Sequence, residues 1–218
     1  PTCSGAHNIT VAGFSGDVDT ELFSTSCPSS TTFLDNSSGT TSTETITYSL
    51  TAGTIYYLRV LAFDTTAETS AFTAQVTSVS TLTVNNTGSP VAGVIISGSS
   101  NVVLMGFTTT PNCATSYDVT SVLITKTGSS TPSDIDTLRI FYDANSNGII
   151  DGADASVSGT GITLGSSMTF PLSGQTNLTA SRNYLLVGNV LPGAIGGREF
   201  TGKITTPTNL TAALTPTG

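Results

Sequence analysis

The stretch ETITYSLTAGTIYYLRVLAF, Glu44 to Phe63, decides the fold class. In its first seven residues Ile46, Tyr48 and Leu50 alternate with Thr45, Thr47 and Ser49. A period of two is the mark of a half-buried strand, because successive side chains point to opposite faces. Thr51 to Thr54 reads as a turn, and Ile55 to Phe63 as a long apolar strand. The same pattern recurs outward in NITVAGF (Asn8–Phe14) and SAFTAQVTSV (Ser70–Val79). Further on it recurs in VAGVIISG, NVVLMGFTT, SYDVTSVLITKT, DTLRIFYD, MTFPLSG, RNYLLVGNV and EFTGKITT.

No segment carries a helical period, so a parallel α/β fold, which needs helices between strands, is excluded. The expectation is an all-β chain of two tandem antiparallel β-sandwiches, immunoglobulin-like or jelly-roll-like. TLTVNNTGSPVAG (Thr81–Gly93) is the junction, giving domains 1–80 and 81–218. Asp17–Glu21 and Ser24–Gly39 read as loops because Asp, Ser, Pro and Gly punctuate them. Phe107–Ser116, with Pro111 and Cys113, also reads as a loop.

Composition narrows the function classes. Charged residues are 9% of the 218, Lys and Arg total 6, and the formal net charge is −8. With 42 Thr and 29 Ser, hydroxyl groups rather than charges cover the surface. Threonine suits this role because its branched side chain packs well on a pleated face. No basic patch is present to meet a phosphate backbone, which speaks against nucleic acid as a partner. No run of 18 apolar residues exists, so membrane insertion by a helix is not expected.

The carboxylates gather in one place. DANSNGIIDGAD (Asp143–Asp154) holds three aspartates and two asparagines in twelve residues. It follows a calcium-loop spacing, with Asp143, Asn145 and Asn147 at positions 1, 3 and 5 and Gly148 at 6. Ile149 would offer its backbone carbonyl at position 7, with Asp151 at 9 and Asp154 at 12. Asp154 stands where such loops usually carry a bidentate glutamate. All these donors are hard oxygens with no Cys or His nearby, which favours Ca2+ over zinc. A polar hairpin with Asn-Gly and Asp-Gly turns is the plainer alternative. No helices flank the loop, so calcium would act as a structural staple rather than as a helix-opening switch. Asp17, Asp19 and Glu21, with Asp35, form a second acidic group that reads chiefly as a solvated turn.

Cys3 and Cys27 are expected to form a disulfide that pins the N-terminal segment, leaving Cys113 unpaired; three inert core thiols are the alternative. A disulfide would place the chain in an oxidising compartment. Glycosylation sequons stand at Asn8, Asn36, Asn85, Asn177 and Asn209. His7 is the only histidine and sits in an exposed-looking N-terminus, so a nucleophile would lack a base, and no enzyme activity is expected. Asp134 and Asp136 alternate at the entry to a strand, which would put both on one face.

The segment from ETITYSL through SAFTAQVTSV, with VDTELF before it, resembles bacterial pre-peptidase C-terminal domains over about residues 8 to 79. Residues 90 to 212, above all DTLRIFYDANSNGIIDGAD and LTASRNYLLVGNV, are similar to repeated β-sandwich domains of large bacterial surface and secreted proteins. The resemblance implies an extracellular, cell-surface module and imports no activity.

The function expected first is that of a structural subunit of an extracellular fibre or surface appendage. Such a subunit would form a homo-oligomer or polymer through a terminal strand, HNITVAGF or TNLTAALTPTG. A glycan-binding adhesion module is the alternative, using Tyr56, Tyr57, Phe63, Tyr117, Tyr142 or Tyr184. An accessory region of a secreted hydrolase is a third.

Overall fold

The computed structural model describes residues 1–25, 30–63, 71–87, 90, 93–204 and 207–216. Every regular element among them is a β-strand, apart from one 3-10 turn at Pro207–Asn209. The chain is thus all-β, with four antiparallel sheets. It divides into two compact units. Unit 1 holds Pro1–Thr81, Asn112–Thr115 and Thr215–Gly218, and unit 2 the remainder.

Unit 1 contains β1 (Gly5–Ala12), β2 (Val18–Phe23), β3 (Phe33–Ser38), β4 (Glu44–Leu50), β5 (Tyr57–Ala62) and β6 (Thr73–Ser78). They form two three-stranded sheets, ordered β4-β1-β6 and β3-β2-β5. The opening stretch therefore does not fold into a hairpin. β4 pairs with β1, while β5 joins β2 in the other sheet. The reason is visible in the burial. Ile46 and Leu50 pack with Ile9 of β1 and Leu22 of β2, so the apolar faces of both sheets meet in one small core.

Two segments that read as loops are strands. In β2, Val18, Thr20 and Leu22 are buried and alternate with Asp19 and Glu21. The acidic residues on the outer face disguise an ordinary period-two pattern. β3 has no apolar alternation and holds its place through its ladder to β2.

Unit 2 contains, apart from a few strand-end residues that fall in unit 1, β7 (Thr81–Asn86), β8 (Val102–Asn112), β9 (Ala114–Thr127), β10 (Ile135–Asp143) and β11 (Ala155–Ser156). It continues with β12 (Ser167–Pro171), β13 (Arg182–Val190), β14 (Thr201–Lys203) and β15 (Leu210–Pro216). One sheet runs β11-β10-β13-β8-β7. The other runs β12-β9-β14, with β15 also paired to β9. Residues from both sheets share one core, including Phe107, Val122, Ile124, Leu138, Ile140, Phe170 and Leu186.

Phe107–Ser116 is not a loop but the end of β8, a one-residue bend at Cys113 and the start of β9. Pro111 is tolerated because the ladder of β8 with β13 ends at Thr109, so no partner there needs its missing N–H. Cys113 has φ +55, which turns the chain where it passes from β8 in one sheet to β9 in the other. Conversely, Gly93–Ile96 of VAGVIISG is not a strand; Val91 and Ala92 lie outside the described residues.

Both terminal segments complete their own chain. β1 is the central strand of its sheet and β15 pairs with β9, so neither is spare in this structure.

Candidate functional site

The acidic loop leaves from a rigid platform. Tyr142 of β10 lies opposite Tyr184 of β13, which lies opposite Phe107 of β8. The Phe107 and Tyr184 rings stack at 5.1 Å, and the Arg182 guanidinium covers Tyr142 at 4.2 Å. Tyr184 is fully buried and donates its hydroxyl to Gln175 Oε1 at 2.9 Å; burial pushes its phenol far above the ordinary range. Asp143 is the next residue of β10, and β11 pairs back onto Phe141 and Tyr142. The acidic loop thus closes a hairpin whose base cannot drift.

Inside the loop each side chain has a defined task. Asp143 is buried, and its two carboxylate oxygens accept the Asn147 N–H at 3.1 Å and the Gly148 N–H at 2.9 Å. Gly148 has φ +72, the left-handed conformation that a side chain would resist. Asp154 closes the other end, accepting the N–H groups of Ala144 at 3.0 Å and Asp151 at 2.9 Å. Asn145 and Asn147 both donate their side-chain amides to Asp151 Oδ2, at 2.9 and 2.8 Å. The Ala153 N–H on Oδ1, with these two amides, holds the Asp151 carboxyl below its usual range.

Positions 3, 5 and 9 of the loop therefore meet at one point, while positions 1 and 12 grip backbone at its two ends. Ile149 is exposed and Ile150 half-buried. The donor set, carboxylate and amide oxygen only, suits a hard cation such as Ca2+. To serve one, the two asparagine amides would turn to present oxygen. That would release the bonds Asn147 Oδ1 now takes from the Ile149 N–H at 2.8 Å and Asn145 Oδ1 from the Asn147 N–H at 3.3 Å.

No three carboxylates of the second acidic group come together as metal ligands. Glu21 is taken by Arg59 of β5, whose Nε donates to it at 2.6 Å. Glu44 is buried with the Ser37 and Thr41 hydroxyls. Burial first, then the charges of Asp17, Glu44 and Glu21, raise the Asp19 carboxyl. Asp134 and Asp136 do not share a face, since Asp134 precedes β10 and is buried while Asp136 is exposed. Asp134 accepts the Thr131 N–H and hydroxyl, the Ile195 N–H and Arg198, which hold it far below the usual carboxylate range.

The cysteine pairing is corrected. Cys3 is bonded to Cys113, not to Cys27, which lies outside the described residues. The bend at Cys113, between β8 and β9, is held against the N-terminal segment by polar contacts within unit 1. The Ser78 and Ser80 hydroxyls donate to the Cys113 carbonyl at 3.2 and 2.6 Å, and Asn112 Nδ2 donates to the Ser4 carbonyl at 3.2 Å. Gly5, at φ +142, leaves room for this approach, since a Cβ there would stand 3.0 Å from Asn112 Nδ2. His7 is likewise corrected from exposed to buried, because it lies on the central strand β1. Its Nε2 stands 3.7 Å from Cys3 Sγ. Sequence reasoning missed this grouping because the separation of 110 residues between the cysteines gives no local signal.

The aromatics considered for sugar stacking divide. Tyr117 and Tyr184 are core residues, Tyr56 and Tyr142 are half-buried, and Tyr57 and Phe63 are exposed. Compared with protein-family models, curated proteins and solved structures, the chain finds no match. Its function is therefore read from its own residues.

Proposed function

We propose that the chain is a non-enzymatic structural subunit of an extracellular fibre or cell-surface appendage. It is built as two tandem β-sandwiches, the second immunoglobulin-like, with calcium bracing the Asp143–Asp154 connection. Subunits join by β-strand pairing into a homo-oligomer or polymer.

The observation that carries this reading is the chemistry of one sheet edge. Among the described residues β6 is the outermost strand beside β1. It reads TAQVTS, without charge or proline, and Thr73 to Val76 are exposed. Edge strands in monomeric proteins are ordinarily blunted by lysine, by proline or by brevity, because their open N–H and C=O groups recruit other strands. β6 has none of these guards and accepts a strand by β-augmentation. Because β1 and β15 both complete their own units, pairing at an open edge is favoured over donation of a spare tail. The disulfide supports an oxidising location, and the scarcity of charge lowers the repulsion between packed copies.

The test is the chain's assembly state. Light scattering and negative-stain microscopy should show concentration-dependent oligomers of the native chain. Thr73→Lys together with Gln75→Lys should leave monomers with an unchanged circular dichroism spectrum. A native chain that stays monomeric at high concentration ends this reading.

Glycan binding stays as a second reading because of one feature. Phe33, Phe23 and Tyr57 lie side by side across β3, β2 and β5. Phe33 and Tyr57 are 44% and 43% exposed on either side of the buried Phe23, so two aromatic rings of the kind sugars stack on are open to solvent on this sheet. Binding on a glycan array that is lost in Tyr57→Ala would establish it, and silence on the array would remove it.

A further inference from the structure

Cys3, His7 and Cys113 bring three metal-ligating side chains together within unit 1, with one ligand atom of each lying within 4.8 Å of the others. Among the described residues no other trio of His, Cys, Asp or Glu does so. The arrangement is independent of the calcium loop and of the proposed assembly.

The histidine is prepared for ligation. It is 3% exposed and sits at the centre of its sheet, between Tyr48 of β4 and Ser78 of β6. Its Nδ1 lies 2.8 Å from the Gly5 carbonyl oxygen. A carbonyl only accepts, so Nδ1 carries a proton, and in the neutral ring Nε2 then carries the lone pair. A backbone carbonyl on the far nitrogen is the usual support of a metal-bound imidazole, since it fixes both the tautomer and the ring orientation. The Nε2 lone pair is aimed at Cys3 Sγ, 3.7 Å away. A disulfide sulfur has no proton to donate, so this buried nitrogen faces a partner that does not satisfy it. The distance has a second meaning. Zinc–sulfur and zinc–nitrogen bonds of about 2.3 and 2.1 Å in a tetrahedron set the two ligand atoms roughly 3.6 Å apart.

We propose that Cys3, Cys113 and His7 form a redox-gated site for a zinc-class divalent cation, closed by the disulfide and opened by a dithiol reductant. In the first step the dithiol gives two electrons to the S–S bond and becomes a cyclic disulfide, and its two protons pass to Cys3 and Cys113. In the second the cation displaces those two protons and binds two thiolates and His7 Nε2. A water fills the remaining coordination position. The same three side chains thus clasp the N-terminal segment to the β8–β9 bend in either state, by a covalent bond when oxidised and through the metal when reduced.

Cobalt(II) is the probe, because its tetrahedral thiolate complexes absorb intensely while its complexes with oxygen donors, as in the Asp143–Asp154 loop, absorb weakly. The full chain carrying Cys27→Ser is reduced with dithiothreitol, freed of reductant without air, and titrated. The expected result is one tightly bound cobalt per chain with a thiolate charge-transfer band, displaced by zinc. The oxidised chain should give no such band. Cys113→Ser should lose the two-thiolate spectrum, and His7→Ala should bind at least about tenfold more weakly. Reduction is expected to loosen unit 1, so circular dichroism is followed in parallel, and added zinc should restore the oxidised chain's spectrum. A reduced chain with no tetrahedral thiolate band overturns the proposal. So does a His7→Ala chain with unchanged affinity, or a reduced unit 1 that metal fails to restore.

Discussion

Unit 1 and unit 2 are made of the same material, hydroxyl-rich antiparallel strands, yet different forces hold them. Among the described residues the fully buried cluster of unit 2 has seventeen members, from Met105 to Leu210, with half-buried Leu82, Tyr142, Phe200 and others packed around it. That of unit 1 has four, Ile9, Leu22, Ile46 and Leu50. A domain of about 80 residues sits near the size below which a single core rarely suffices and a covalent or metal staple is needed. Unit 1 has that staple, the Cys3–Cys113 bond. Unit 2 spends its special chemistry differently. Its buried Tyr117, Tyr184 and Asp134 are satisfied by hydrogen bonds that position loops rather than by cross-links. Unit 1 is therefore predicted to depend on redox state and unit 2 on packing.

The sharpest way to break this contrast is to remove the disulfide. Closing a loop of this length stabilises by about 5 kcal/mol in the chain-entropy account. Cys3→Ser with Cys113→Ser should lower one calorimetric transition, assigned to unit 1, until that unit is largely unfolded near about 37 °C. The other transition should stay in place. If both fall together, or neither moves, the units are not held by separate means.

The reciprocal experiment truncates the core of unit 2. Phe107 is fully buried and stacks on Tyr184. Phe107→Ala leaves a cavity between the facing sheets and should cost about 4 kcal/mol, visible as a shift of the unit 2 transition alone in denaturant or heat. A shift below about 1 kcal/mol would mean that this core collapses around the void and is less tightly packed than its burial indicates.

Calcium comes next in size. With an affinity in the range of extracellular modules, a saturating excess should stabilise by about 2 kcal/mol. The rise should be confined to unit 2, which contains the acidic loop. Asp143→Ala with Asp151→Ala should abolish it. An unchanged melting curve in the native chain would leave the loop as a hairpin closed by its own amides, the bonds from Asn145 and Asn147 to Asp151 being sufficient.

How far the sequence disclosed this contrast depends on the range of the interactions. RNYLLVGNV reads as a strand and is one from end to end, because its apolar run states its burial locally. The all-β class is legible for the same reason. The spacing of the acidic loop is equally local, and the residues at positions 3, 5 and 9 do meet. β2 was concealed by the Asp and Glu on its outer face, and the β8–β9 bend by a proline whose position relative to the ladder is a property of the sheet. The cysteine pairing and the burial of His7 follow from which strands become neighbours, and no window of sequence records that. The weaker core of unit 1 was also hidden, since Val76 and Tyr57 look apolar in sequence but stand 48% and 43% exposed.

The smallest effect tests a detail of the unit 2 packing. In β10 the buried residues Ile135, Leu138 and Ile140 are spaced three and then two apart, where a regular strand would keep a spacing of two. The extra residue is a bulge, marked by the register shift between Asp136 and Arg139 opposite β13. Thr137 sits in it at φ +49, a conformation that costs a β-branched residue about 1 to 2 kcal/mol. The bulge restores alternation, so that Leu138 reaches the core and exchanges backbone hydrogen bonds with Ile162 at 2.8 Å. Thr137→Gly relieves the strain and adds flexibility to the unfolded chain, two opposed terms whose difference should leave about 0.5 kcal/mol of net stabilisation. Chemical denaturation would read this as a small rise in the unit 2 midpoint with unchanged slope. A loss greater than about 1 kcal/mol would mean that the threonine side chain packed against Gly161 is worth more than the strain it carries, because glycine removes both together.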